Sequence, residues 1–358
     1  MQTPGLFGQA HNNSSRDYTR EDSWGKNQFN SSFPASLVAW MSHKGVKPVY
    51  LVTDENNLLH HTYISGEELY GINPLSQYAY YNFEAGFSGF EKFYTGAREK
   101  IDLVMMDSRD SKNLVGLEIK LTAIPDNTTK KMPEDRYSCE IVVRPPTINF
   151  LACSLCNNFI GEEGRNRLRN LLGVIPQINH WEDISDVMPH YNEILGGVSR
   201  VSVHLHERQT PLIMQPIWKT KGAKPILCDD CLDVFVWSNL AVIQMCARQK
   251  ADPKTINRFM RTIIWIYRML FEYTVSEQFD YKRIVRLHSY NLANDKAFAL
   301  NGSLSYPLLK CRELAHPRIP KSDIKHIILG GGQNMLSPER RFDAVLVSNP
   351  DLFEDENS

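Results

Sequence analysis

No apolar run in this chain is long enough to cross a bilayer. The most apolar stretch, Thr262 to Phe271, is interrupted by Arg268 and follows Arg258 and Arg261. The N-terminal MQTPGLFGQAHNNSSRDYTRED lacks the apolar segment of a secretory signal. Cysteine is sparse and odd in number, seven in 358 residues, which argues against a disulfide framework and for reduced thiols. These absences predict a cytoplasmic protein without a membrane partner. No internal repeat is visible. The GGG at 330–332 lacks the Lys-Ser/Thr of a phosphate loop, so it is read as a tight turn. Net charge is nearly absent too, at −1.

What is present is an ordinary globular composition, 42% hydrophobic and 23% charged, with ample length for a buried core. The small net charge hides an asymmetry. Residues 241–330 hold 15 Lys and Arg against 7 Asp and Glu, a surplus of eight offset by an acidic remainder. Such a segment permits contact with phosphates without demonstrating it. Residues 1–32 read as a weakly ordered polar arm, 33–350 as one domain with a more basic helical part at 241–330, and 351–358 as an acidic tail. Ser31 or Ser32 is expected to cap a short helix ended by Gly45, followed by a strand at VKPVYLVTD.

Pro74 to Tyr94 reads as helical, Ile124 to Arg136 as a loop, and CEIVVRPPTI as a strand stopped by its prolines. Asn149 to Leu172 reads as a helix, VSRVSVHLHE and TPLIMQPIWKT as paired strands, and Cys231 to Gln249 as a helix. Thr255 to Phe271 carries the longest amphipathic stripe, and HIILG and FDAVLVS read as late strands. The expected fold class is α+β, a mixed central sheet flanked by helices.

The informative region is residues 100–122. Ile101 to Met106 and Leu114 to Leu121 read as two apolar strands of a hairpin. Asp102 begins the first; Glu118 and Lys120 lie two apart on the second and so share a face, with Leu117 and Ile119 on the other. If Asp102 lies opposite, two carboxylates and an ammonium converge at a sheet edge. Neighbouring carboxylates repel unless a cation sits between them, and a hard divalent ion such as Mg2+ is the usual answer. The expected ligands are Asp102, Glu118 and the main-chain carbonyl of Ile119, with Lys120 positioning a water for phosphodiester hydrolysis. An acid-x-Lys on a strand is more commonly a solvated pair. Here the preceding strand supplies the second acid, and both strands are otherwise apolar.

These residues resemble the PD-(D/E)xK nuclease superfamily, with IDL supplying the Asp and LEIK the Glu-x-Lys, although Ile101 replaces the usual proline. The wider context, WGKNQFNSSFPASL, KIDLVM, GLEIKLTAIPDNTT and EIVVRPPTI, resembles HindVP-type type II restriction endonucleases from about Trp24 to Ile148. That resemblance implies a restriction-endonuclease-like fold and Mg2+-dependent cutting of both strands of double-stranded DNA at a short, near-palindromic, GRCGYC-like site. It also implies a homodimer and a separate DNA methyltransferase in a bacterial host. The superfamily often adds an acid from a preceding helix, for which Glu84 and Glu91, seven apart, are eligible; Glu84 is taken as the extra metal contact.

Two C-x-x-C pairs, Cys153/Cys156 and Cys228/Cys231, have the ligand types of a zinc site, but 71 residues intervene, and the first pair sits in an apolar helix where cysteine usually acts as a small hydrophobe. His60, His61, His204 and His206 have no nuclease signature around them and read as surface or strand-face residues. Lys219, Lys221, Lys224, Lys282, Arg283 and Arg286 are candidates for phosphate contact, against the commoner reading of solvated charge. The rival readings are another PD-(D/E)xK nuclease, of repair or recombination, and a non-catalytic, zinc-stabilised DNA-binding protein.

Overall fold

A computed structural model describes residues 26–110, 112–120, 122–126, 141–221, 231–248, 255–292 and 296–300. Its strands are β1 Val49–Thr53, β2 Leu59–Tyr63, β3 Ala79–Ala85, β4 Ile101–Asp107, β5 Lys112–Ile119, β6 Thr122–Asp126, β7 Ile141–Val143, β8 Pro211–Lys221, β9 Cys231–Ser238 and β10 Phe298–Leu300. Its helices are α1 Lys26–His43, α2 Gly66–Tyr70, α3 Ser88–Glu91, α4 Pro145–Cys156, α5 Gly161–Leu172, α6 Ile184–Val187, α7 Tyr191–His204, α8 Asn239–Ala247, α9 Arg258–Ser276 and α10 Tyr281–Leu287.

Eight strands form one mixed sheet in the order β2-β1-β9-β8-β5-β4-β3, with β6 also pairing β8. β5 and β6 run parallel to β8 on a single register, while β3, β4 and β5 form an antiparallel meander. The two sheet faces bury different layers. Leu37, Val38 and Met41 of α1 cover one with Leu103, Leu117 and Ile119. The other carries the larger core, where Val104, Ile213, Phe235 and Trp237 meet the helical layer built around α9. This is the α+β arrangement expected, a mixed sheet flanked by helices.

Several local expectations are overturned. Residues 74–94 are not a helix: β3 alternates, with Ala79 and Tyr81 buried and Tyr80 exposed, and only α3 is helical. VSRVSVHLHE is not a strand but the end of α7, because Ile194, Val198, Val201 and Leu205 form a 3.6-residue stripe beneath its β-branched residues. Cys231 to Gln249 is β9 followed by α8. Val234 to Trp237 are buried on both faces, and such a run has no period that separates strand from helix. The boundary falls at Ser238, whose side chain caps α8 by accepting from the Ala241 N–H.

Ile124 to Asp126, read as the start of a loop, belong to the strand β6. The helical stretch at 149–172 starts earlier, at Pro145, and is broken at Gly161, which sits at φ 77°. α1 starts at Lys26, inside the stretch read as an arm, and carries Pro34 within it. The expected late strands, the GGG turn and the acidic tail lie outside the described residues. No helix among the described residues is long and apolar enough to cross a membrane.

Candidate active site

The site forms where the β4–β5 ladder opens. The last regular pair is Leu103 with Leu117. Regular continuation would join the Ile119 N–H to the carbonyl of Ile101. Instead that N–H donates to Asp102 Oδ2 at 2.8 Å. Lys120 N–H turns the other way, to the Met214 carbonyl at 2.9 Å. By alternation the Ile119 carbonyl therefore faces the Asp102 edge, where β4 no longer meets it in the ladder. Pro216 explains the interruption between β5 and β6. It faces the same side as Met214 and has no N–H for the Lys120 carbonyl.

Opposed positions put Asp102, Glu118 and Lys120 on the sheet face that carries the helical layer, while Leu117 and Ile119 belong to the α1 side. Lys120 Nζ donates to Glu118 Oε2 at 2.6 Å, and both side chains are largely buried. Burial, and then the neighbouring Glu118, push the Asp102 carboxyl well above the ordinary carboxylate range, against the pull of Lys120. Burial alone would lower Lys120. Glu118 and Asp102 outweigh it and hold the ammonium above its usual value. Glu84, expected on a helix, lies on β3 at φ 47°. It falls between the pairs Phe83–Leu103 and Ala85–Ile101, hence directly across from Asp102, whose carboxyl it also raises.

The folded pKa of Asp102 lies above its unfolded value, so between the two the native state binds more protons, and stability falls as pH rises through that window. Asp102→Asn removes the buried charge and keeps an oxygen for the Ile119 N–H. In EDTA at pH 8 we expect its melting temperature to exceed that of the parent by roughly 2–6 °C, with little gain at pH 4. Thermal melts across that range check this; an equal or lower melting temperature at pH 8 refutes it.

Among the described residues no group of three His, Cys, Asp or Glu side chains forms a preassembled metal cage. Mg2+ does not require one, since it keeps several waters and takes one or two carboxylates plus substrate oxygens. The neighbouring carboxylates of Asp102 and Glu118, with a carbonyl turned out of its ladder, are a hard-oxygen set that fits such an ion.

Other candidates fall elsewhere. Lys282 is paired with Glu99 at 2.7 Å and Arg283 with Glu272, while Arg286 is exposed on α10. Lys219 and Lys221 stand on β8 with side chains that are not described, and Lys224 lies outside the described residues. Cys153 and Cys156 are fully buried on α4, and burial pushes their thiols far up, opposing the thiolate that zinc requires. Cys231 begins β9, and Cys228 lies outside the described residues. His60 and His61 are exposed on β2, and His204 and His206 lie around the end of α7. Two contributors were not anticipated. Thr147 donates to Glu118 Oε2 at 3.1 Å, and the register sets buried Gln215 beside Lys120. The PPTI segment signalled only a strand end, and nothing local marked either residue.

The opened strand pair, with its acids and amine on one face of a mixed α+β sheet, defines a restriction-endonuclease-like protein. The chain matches the HindVP restriction endonuclease family over residues 24–353, and it belongs to that family. It is 40% identical over 358 residues to the type II restriction enzyme HgiDI of Herpetosiphon aurantiacus, covering 99% of this chain and 98% of that one. It is 37% identical over 355 residues to the probable type II restriction enzyme HindVP of Haemophilus influenzae, covering 98% and 95%. No solved structure matches significantly. The chain is therefore an enzyme of the type II restriction class.

Proposed function

We propose that this chain cuts both strands of double-stranded DNA at a specific short sequence by Mg2+-dependent phosphodiester hydrolysis, through a PD-(D/E)xK site made of Asp102, Glu118 and Lys120. The observation that carries this reading is the meeting of those three groups where the ladder opens and the Ile119 N–H turns to Asp102. Asp102, Glu118 and the Ile119 carbonyl are the groups that would hold the ion, with Glu84 at the margin. When bound, Mg2+ supplies a polarised phosphoryl oxygen and a water of lowered pKa.

The chain's own residues do the rest. Asp102 would hold the ion as a carboxylate; burial and Glu118 favour its protonated form, and a cation beside it would favour the ionised one. Lys120 stays charged, orients the attacking water and offsets negative charge gathering on the phosphate. Burial of the site face by the helical layer excludes bulk water and strengthens each of these interactions.

The enzyme would act in a bacterial cytoplasm as a homodimer matching the two-fold symmetry of its site, with a separate methyltransferase masking host sites. Incubating the purified chain with Mg2+ and DNA of known sequence bearing GRCGYC-like sites, then mapping the ends, tests the reading. Discrete double-strand breaks at one sequence are expected. Random nicking would point to a repair-type nuclease, and stoichiometric zinc with no cutting to a DNA-binding protein.

A further inference from the structure

We propose that Thr147 is a positioning residue that decides which oxygen of Glu118 is offered to the divalent ion; the inference rests on Glu118 being a metal ligand, as set out above. Thr147 lies in the first turn of α4, is only 1% exposed, and donates its hydroxyl to Glu118 Oε2 at 3.1 Å. Lys120 Nζ donates to the same oxygen at 2.6 Å. Two donors from different elements thus converge on Oε2, while no donor among the described residues reaches Oε1. The carboxylate is therefore asymmetric: Oε2 is engaged by the protein, and Oε1 keeps its lone pairs for a cation.

Lys120 alone is poorly suited to hold that orientation. Its stem has four rotatable bonds, and the proposed reaction needs its charge at water and phosphate. The last torsion of a glutamate is broad and two-fold, so a carboxylate tethered only by a mobile ammonium exchanges its oxygens readily. Threonine has one side-chain torsion, confined by its branched Cβ to a few staggered positions, so its hydroxyl ranges far less than an ammonium on a four-carbon stem.

That backbone is itself constrained. Arg144 enters extended, and Pro145 and Pro146 occupy the first two helical positions with fixed φ. The prolines also delete two N–H groups that would otherwise project from this helix end, leaving the Thr147 hydroxyl as the donor that meets Glu118. The rest of α4 is sunk in the core through Ile148, Phe150 and Leu151, which ties the site's alignment to the helical layer.

The test is Thr147→Val, nearly isosteric but without the hydroxyl, beside Thr147→Ser and Glu118→Gln. Binding of Mn2+ alone, without DNA, is followed by electron paramagnetic resonance, and cleavage is titrated with Mg2+. Thr147→Val is expected to weaken Mn2+ binding by about tenfold and to shift the Mg2+ requirement upward similarly, with lost cleavage partly recovered at high Mg2+. Thr147→Ser should restore both to within about threefold, and thermal melts should show all variants folded. If Glu118→Gln loses Mn2+ while Thr147→Val binds it like the parent, the role of Thr147 is overturned and that of Glu118 stands. If Thr147→Ser is as impaired as Thr147→Val, the methyl contact matters rather than the hydroxyl, and the proposal also fails. If Glu118→Gln itself binds Mn2+ normally, both readings fall together.

Discussion

Lys120→Ala is expected to bind the cognate DNA with near-parental affinity and to cut it roughly 10²–10⁴-fold more slowly. The ammonium is paired with Glu118 and feels the charge of Asp102 on a largely buried face, where its own charge is far stronger than in water. What it offsets during reaction is charge that appears only in the transition state, so its removal lowers turnover rather than ground-state binding. There is a structural consequence as well. Without the lysine, Thr147 is the one side-chain donor left to Glu118 among the described residues, and Asp102 loses the charge that opposes its upward shift. The variant should therefore need more Mg2+ and be less stable in EDTA than in Mg2+. Single-turnover cleavage and filter or fluorescence binding on one DNA separate the two effects. Cleavage within about threefold of the parent at saturating Mg2+ would remove Lys120 from the chemistry.

The second large effect is on stability. Arg261, 1% exposed on α9, donates to the carbonyls of Leu292 at 2.9 Å and Lys296 at 2.7 Å, and lies over the Trp265 ring at 4.5 Å. Beside it, the Thr262 hydroxyl donates to the Ala297 carbonyl at 3.0 Å, so this turn of α9 ties down the chain leading into β10. Burial lowers the guanidinium to about 10, which still leaves it charged at neutral pH. Arg261→Ala strips the donors from partly buried carbonyls and opens a cavity beside Trp265, and should destabilise the fold by about 3–5 kcal/mol. Urea denaturation measures it. A change below about 1 kcal/mol would mean that water or neighbouring groups satisfy those carbonyls instead.

Arg261 also shows what a count of charges leaves open. The basic surplus of residues 241–330 permits contact with phosphates without demonstrating it. Yet Arg261 is buried, Arg268 is packed over Trp181, Lys282 is bound to Glu99 and Arg283 to Glu272. Among the described residues these cations are taken up by carbonyls, a ring or acids, and a count of charges cannot separate a cation held by carbonyls from one held out to solvent.

The hairpin that carries Asp102, Glu118 and Lys120 was legible in the sequence because its cues are local. Strand alternation alone sets Glu118 and Lys120 on one face and Leu117 and Ile119 on the other, and a hairpin of that length brings Asp102 across from them. The α9 stripe was legible for the same reason, a repeated period over many residues. Glu84 was singled out for a helical spacing that does not exist, yet it lies by Asp102 because β3 pairs with β4.

What only the tertiary structure decided depends on contacts between distant segments. β9 is a strand because β1 and β8 close on both its edges, a fact no window of its apolar sequence contains. Thr147 reaches Glu118 across 29 residues because α4 packs over the opened ladder. Pro216 interrupts the strand at Lys120 only because parallel pairing sets the two side by side. Periodicity records which face a residue takes; which residue it meets is settled when the sheet and its helical layer come together.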